Sequence, residues 1–389
     1  MTEPSKEPPA PQTPVIQPDI SAPANLKDME KLFVGLAKNK GSDLHLKSGI
    51  KPIFRISTVL YEVGSRTLSN DDIKKIVYEI LTDEQRTHFE AHNNLDFAYS
   101  VEGTGRFRVN LFKERGNVAL AARRVNTQIP SFKELNLPPA VQKATSYKEG
   151  LIIVSGPTSS GKSTTLASML QYINENRKCH IITVEDPIEY LFTDIKSFVN
   201  QREVGIDVAS FHDALRYIVR QNPDVILMGE MRDAESLEAG LMAAETGHLV
   251  LGTLHASTAA QSVSRILDLF PTERQEMVRQ SLTMNLRAIF CQRLLPGAKK
   301  EARLVPTVEV LLNNPSIQKL IQNKEDKKIT DIMRSSEEEG MQDFNQSLHQ
   351  LIKDGLIKQE TGLKYSPNSE QLKMLIKGIF LSDSHKIVG

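Results

Sequence analysis

Cysteine is scarce in this 389-residue sequence: only Cys179 and Cys291, far apart and in no CxxC pair. That excludes a disulfide framework and suits a reducing cytosol. An excess of charge is also lacking, with 48 basic residues against 48 acidic ones. No whole-chain field therefore draws the protein to nucleic acid or to an anionic membrane. No apolar run approaches the roughly 18 residues of a spanning helix, and the N-terminus carries no signal-peptide hydrophobic region. A role at a membrane is then expected through a partner or through surface contact. What remains is ordinary for a globular protein, 40% hydrophobic and 25% charged, with a length that suggests two domains.

Residues 1–25 are proline-rich and polar, without apolar periodicity, and read as a disordered tail to which no function is assigned. Residues 26–124 read as a small α+β domain. Leu32, Phe33, Leu36 and Ala37 have helical spacing, Ser69 with Asp72 forms a capping box, and a further short helix follows. Six strand candidates, including 42–46, 106–112 and 118–125, complete it. Pro130, Pro138 and Pro139 mark 125–139 as a linker and hinge candidate. From residue 140 to 389 strands and helices alternate, as a parallel sheet requires. Strands are expected at 151–154, 181–184, 225–228 and 249–254. A helix is expected from Ser210 to Gln221 with Val219 inward, and another is capped by Asp233. Two C-terminal helices, 340–353 and 368–380, read as packing elements; the second is lysine-bearing and amphipathic, so membrane-surface contact is the other reading.

The chain is organised around Leu151–Leu170. An apolar β-branched run enters the loop Gly156, Pro157, Thr158, Ser159, Ser160, Gly161, Lys162, Ser163, and a helix is expected from Thr164. This is the strand, GxxxxGK[ST] loop and helix of a P-loop. The glycines let successive N–H groups point inward, making an anion nest at a helix N-terminus. Lys162 supplies a charge for the β/γ-phosphates and Ser163 a hydroxyl for Mg²⁺. The expected ligand is ATP with Mg²⁺.

Each of the other strands also ends in polar chemistry: Glu185, Asp186 and Glu189 after one, Glu230 after another, His255 after a third. Ligands of open α/β sheets bind at the carboxyl ends of strands, so these groups are expected to converge. Glu230 is the metal candidate, with Asp186 a second acting through metal-bound water. Glu189 or Glu185 could orient the attacking water, and Glu185 could instead cap the turn near Pro187. His248 and His255 bracket one strand and either sense the γ-phosphate or bond neighbouring backbone.

GPTSSGKST, VEDPIEY, VRQNPDVILMGEMRD and ETGHLVLGTLHA, in that order, resemble the Walker A, aspartate box, Walker B and histidine box of the type II secretion/type IV pilus ATPases. The similarity runs from about Leu26 to Lys377. It is closest in pattern to the PilT-like retraction ATPases, with SDLHL and GRFRVN, while NQREVGID, RILDLFPTER and TMNLRAIFCQRL look nearer the PilU branch. The resemblance implies an α/β fold: a RecA-like P-loop NTPase domain preceded by a smaller, PAS-like α+β domain. It also implies a cytoplasmic homo-hexamer acting on an inner-membrane platform protein, peripheral to that membrane. On matching positions Glu189 would be the general base, Glu230 the Walker B acid, and His255, with His248 nearby, the γ-phosphate contact. Arg108 and Arg123, or Arg124 in place of the latter, would be arginines delivered to the nucleotide by the N-terminal domain. The four-cysteine zinc module of assembly ATPases is absent. Two departures stand out. Ser159 occupies a position often glycine in the family, where φ > 0 would be strained and ATP affinity lower. Ser316–Asn323 replaces the AIRNLIRE segment, with glutamines for its arginines, which points to an accessory role beside a PilT-type partner.

Overall fold

In the computed structural model the described residues are 19, 21–23, 25–57, 59–298 and 304–379. Most of the proline-rich stretch, and Phe380 at the end of the last expected helix, lie outside them. The chain divides into two compact units, Met1–Asn126 and Thr127–Gly389.

The first unit runs α1 (Asp28–Lys38), β1 (Asp43–Leu46), β2 (Ile53–Ile56), β3 (Val59–Glu62), α2 (Asn70–Tyr78), α3 (Asp83–His92), β4 (Asn94–Val101), β5 (Gly105–Glu114) and β6 (Asn117–Arg124). Its sheet has the order β3-β2-β1-β6-β5-β4 and is antiparallel throughout. Period-two alternation sends Leu44, Leu46, Phe107, Val109 and Leu111 to one face, where they meet Phe33 of α1 and Ile73 of α2 in a single core. Phe33 stacks on Phe107 with ring centroids 4.1 Å apart. The expected capping box is formed: Ser69 accepts from the Asp72 backbone, and the Asp72 carboxylate accepts from the Ser69 backbone.

The second unit begins with α4 (Pro139–Ala144), β7 (Gly150–Ser155), α5 (Lys162–Asn176), β8 (His180–Glu185), β9 (Phe198–Glu203), α6 (Phe211–Ile218), β10 (Val225–Met228), α7 (Ala234–Glu245) and β11 (Leu249–Leu254). It continues with α8 (Ala259–Asp268), α9 (Thr272–Asn285), β12 (Leu286–Pro296), β13 (Leu304–Leu312), α10 (Pro315–Gln322), α11 (Ile329–Ser335), α12 (Phe344–Lys353), α13 (Gln359–Tyr365) and α14 (Ser369–Ile376). The sheet order is β13-β12-β7-β11-β10-β8-β9. All pairings are parallel except β12 with β13. Both faces are covered, which is why the central strands are continuous apolar runs. Ile152 and Val154 pack under α5, and Leu151 and Ile153 face the opposite layer of α6 to α11.

Several expectations change. The P-loop helix starts at Lys162, two residues before Thr164. Val219 is 41% exposed, because α6 gives way to a 3₁₀ turn at Val219–Gln221 that rotates it off the apolar face. The edge strands β9 and β13, and β12 beside β13, had no strand reading. The 125–139 stretch is not a free linker along its length. Phe132 and Leu137 are buried in the core under α5, and Ser168 donates to the Pro130 carbonyl at 2.7 Å. The apolar side of α14 is occupied: Leu372 is buried against Leu348 and Leu351 of α12, which supports packing over membrane contact. Among the described residues no helix is long and apolar enough to cross a membrane.

Truncating Phe132 to alanine removes a core side chain, not a linker one. The expected cost is about 3–5 kcal/mol, read as a lower urea midpoint for the second unit.

Candidate active site

Parallel pairing brings β7, β8, β10 and β11 to an end at one edge, and the loops that leave them line a cavity of about 580 Å³. Residues 158–164, Glu185, Asp186, Glu189, Glu230 and His255 all face it. The expected convergence is therefore present within one chain.

The loop after β7 curls through two left-handed glycines, Gly156 (φ 147°) and Gly161 (φ 86°). Ser159 is left-handed as well (φ 62°), a conformation that costs a side-chain-bearing residue about 1–2 kcal/mol. Lys162 folds back to donate to the carbonyls of Gly156 (2.9 Å) and Pro157 (3.1 Å). Burial holds its ammonium below the ordinary value, with the Glu230 carboxylate the main opposing influence. The Ser160 hydroxyl is buried without a partner, and the Ser163 side chain is exposed at the first turn of α5. A buried orphan hydroxyl, a lysine resting on carbonyls and a helix N-terminus together fit a polyphosphate.

The three carboxylates differ sharply. Glu185 is half-buried and accepts from Thr183 Oγ1 (2.7 Å) and Gln201 Nε2 (3.1 Å). Burial pushes its pKa up to about 6 against those hydrogen bonds and one from the Glu189 backbone N–H. These bonds tie Glu185 to β8, to β9 and to the turn that holds Pro187. Glu189 is exposed, and among the described residues its carboxylate has no hydrogen-bond or ion-pair partner. Glu230 receives Arg232 Nη2 at 2.7 Å on one oxygen and lies 3.2 Å from His255 Nε2 on the other. Burial opposes its ionisation, but Arg232, then His255 and Lys162, outweigh it and hold the carboxyl below the usual range. Ser163 and Glu230 offer the hard oxygen donors that suit Mg²⁺, and Asp186 is exposed on the same wall.

His248 is a correction. It sits before β11, at the opposite end of that strand from His255, so about 20 Å of extended chain separates the two. Its Nδ1 lies 2.9 Å from the Ala243 carbonyl and 3.1 Å from Thr246 Oγ1, so it bonds neighbouring backbone and does not line the cavity. Arg108 and Arg123 belong to the first unit, in register on β5 and β6. Arg123 donates to Asp43 at 2.8 Å. Arg124 lies on the core-facing register opposite Phe107, which separates it from Arg123.

Four residues of the site had no reading from sequence. Arg232 is two positions past Glu230, where the alternating-charge run GEMRD was the available signal. Tyr190 shares a hydrogen bond with Thr164 at 2.9 Å. Gln201, on β9, donates to the Tyr190 carbonyl (2.8 Å) as well as to Glu185. Gln292, on β12, is buried beneath the P-loop. A polar side chain at an inward position of an apolar strand is the signal for the last.

The family profile described as "Type II/IV secretion system protein" matches residues 26–363. The chain belongs to that family. The type IV pilus ATPase PilU of Pseudomonas aeruginosa is 40% identical over 90% of this chain and 91% of its own length. The type IV pilus retraction ATPase PilT of the same organism is 38% identical over 86% of this chain and 96% of its own. A crystal structure of the pilus retraction motor PilT with bound ADP superposes with a TM-score of 0.81 at 44% identity, covering 90% of this chain and 99% of that one. This chain is accordingly a PilT/PilU-like ATPase with a RecA-like domain, and the cavity is its candidate nucleotide site.

Glu185 is a raised acid, so its contribution to folding is fully present below the unfolded value and disappears as pH rises through about 6. Over that window about 2 kcal/mol of stability should be lost through this group, and Glu185→Gln should lose less stability than the parent by about that amount when unfolding is followed from pH 4 to 8. Ser159→Gly should relieve the left-handed strain, offset by glycine's greater chain entropy, for a net gain of about 1 kcal/mol or less in urea unfolding.

Proposed function

We propose that this chain is the subunit of a homo-hexameric Mg-ATP motor that powers type IV pilus retraction by pilin depolymerisation. The observation that carries the reading is the division of labour among the converging strand-end groups. One carboxylate (Glu230) is held ionised, one (Glu185) is tied into its loop, and one (Glu189) is free beside a phosphate cradle. Similarity to both PilU and PilT over most of each chain supports the pilus assignment.

In this reading the 156–164 nest and Lys162 hold the triphosphate, and Lys162 exchanges its two loop carbonyls for phosphate oxygens. Ser163 and Glu230 would hold Mg²⁺, with Asp186 beside them, and the metal would neutralise charge on the phosphates. Glu189 takes the proton of the attacking water, and His255, braced by Glu230, donates to the γ-phosphate. Arg108 and Arg123 are supplied by the N-terminal unit of a neighbouring subunit, Arg123 trading Asp43 for a phosphate. Work is delivered to a platform protein of the inner membrane from the cytoplasmic side, with no nucleic acid involved.

A second reading has one observation of its own. Helix α10 buries Ile317 and Ile321 and carries Gln318, which donates to the Asn313 carbonyl, and the exposed Gln322 where the AIRNLIRE segment has guanidinium groups. Amides cannot make the bidentate, charge-assisted pairs that arginine makes. This favours an accessory ATPase working beside a PilT-type motor.

Steady-state hydrolysis by the full chain and by Glu189→Ala, with assembly followed by light scattering, separates these readings. Loss of a general base should lower kcat about 10²–10⁴-fold, with nucleotide binding and hexamers retained. Equal rates in the two proteins would remove Glu189 from its role. Turnover that appears only on adding a PilT-type ATPase would select the accessory reading.

A further inference from the structure

The phosphate loop is shaped by a residue outside its own motif. Gln292 lies on β12, the strand paired in parallel with β7, one position past the pairing of Cys291 with Ser155. Its side chain is 2% exposed, and both ends of the amide are used. Nε2 donates to the Ser160 carbonyl at 2.7 Å, and Oε1 accepts from Thr165 Oγ1 at 2.8 Å. The first bond fixes the far limb of the loop and the second fixes the opening turn of α5.

The glycines report the same clamp from the other side. A Cβ at Gly156 would collide with the Gln292 backbone carbonyl, and one at Gly161 would come within 2.8 Å of Gln292 Nε2. The two glycines are therefore required by more than their left-handed φ. They let the loop lie flat on residue 292, which touches it at Gly156, at Ser160 and Gly161, and at Thr165.

We infer that Gln292 is a positioning residue for the nucleotide. By holding the Ser160 carbonyl outward it turns the neighbouring N–H groups toward the cavity, and by holding Thr165 it keeps the N-terminus of α5 aimed at the same point. This rests on the cavity being the ATP site and deepens that assignment. Glutamine is the side chain the geometry needs, because one planar group must give a hydrogen bond at one end and receive one at the other. Leucine or methionine would fill the space and leave a buried carbonyl and a buried hydroxyl unpaired.

The test uses the full chain, a fluorescent ATP analogue and steady-state hydrolysis. Gln292→Met should raise both Kd and KM about tenfold or more, while kcat at saturating nucleotide stays within about threefold of the parent. Gln292→Glu adds a readout that packing does not move. Its protonated carboxyl keeps one donor and one acceptor, and its burial places the titration in a raised range. Affinity should therefore recover toward the parent value as pH falls from 8.5 to 6, relative to the parent over the same range. Unchanged Kd in both variants overturns the inference, as does a loss in Gln292→Glu that is independent of pH. If Gln292→Met does not fold, the pH series of Gln292→Glu decides alone. Binding is read without turnover or pili, so these outcomes stand apart from the fate of the motor assignment.

Discussion

Parallel pairing across the centre of the second unit is the constraint on which the site depends. Val184, Met228, Gly252, Ile153 and Ile289 form one continuous row across five strands. Each of β7, β8, β10 and β11 ends within two residues of that row. A parallel ladder has no freedom to stagger one strand without turning its apolar residues toward the wrong layer. Apolar layers lie on both faces here, so the row is locked and the four loops must emerge together. The chemistry at the edge is thus positioned by the burial of Leu151–Val154, Ile181–Val184 and Val225–Met228 far beneath it.

Above that row the electrostatics are graded by contact. Three glutamates share one wall, and the surroundings of Glu185 and Glu230 push their protonation in opposite directions. Glu185 carries hydrogen bonds that favour its charge and a burial that outweighs them. Glu230 is less buried, and a guanidinium outweighs the desolvation it does suffer. Glu189 is exposed, its carboxylate without a hydrogen-bond or ion-pair partner among the described residues. Glu185 and Glu230, neighbouring acids on one wall, are thus driven in opposite directions by burial and by their contacts.

The braces of the site come from the sheet margins. Gln201 reaches from β9 to the acidic loop beside β8, and Gln292 reaches from β12 to the phosphate loop beside β7. Each stands on a strand next to the one whose loop it holds, and reaches a backbone carbonyl of that loop with its amide. Farther out, Glu309 on β13 is buried, with its pKa pushed up to about 7 by desolvation, and accepts from the Ala259 N–H at 2.8 Å. It ties the start of α8, and hence the segment after His255, to the edge of the sheet.

Local sequence determined much of this protein. GxxxxGK[ST] between an apolar run and a helical run, carboxylates at the ends of buried strands, and capping signals such as Ser69 with Asp72 are encoded within a few residues. Their geometry follows from backbone sterics and hydrogen bonds that need no distant partner. Motif order along the chain carried the family. What sequence could not settle were contacts between residues more than a hundred positions apart, such as Ser160 with Gln292, because only strand order places β12 beside β7. His248 and His255 look equivalent in sequence, seven residues apart around one apolar strand, and tertiary structure put them at opposite ends of it. Proline content suggested a hinge through residue 139, but Phe132 and Leu137 found a hydrophobic surface under α5, and burial overrode the composition. Tertiary structure decided each of these points for one reason: desolvation and packing act between surfaces that only the folded chain brings together.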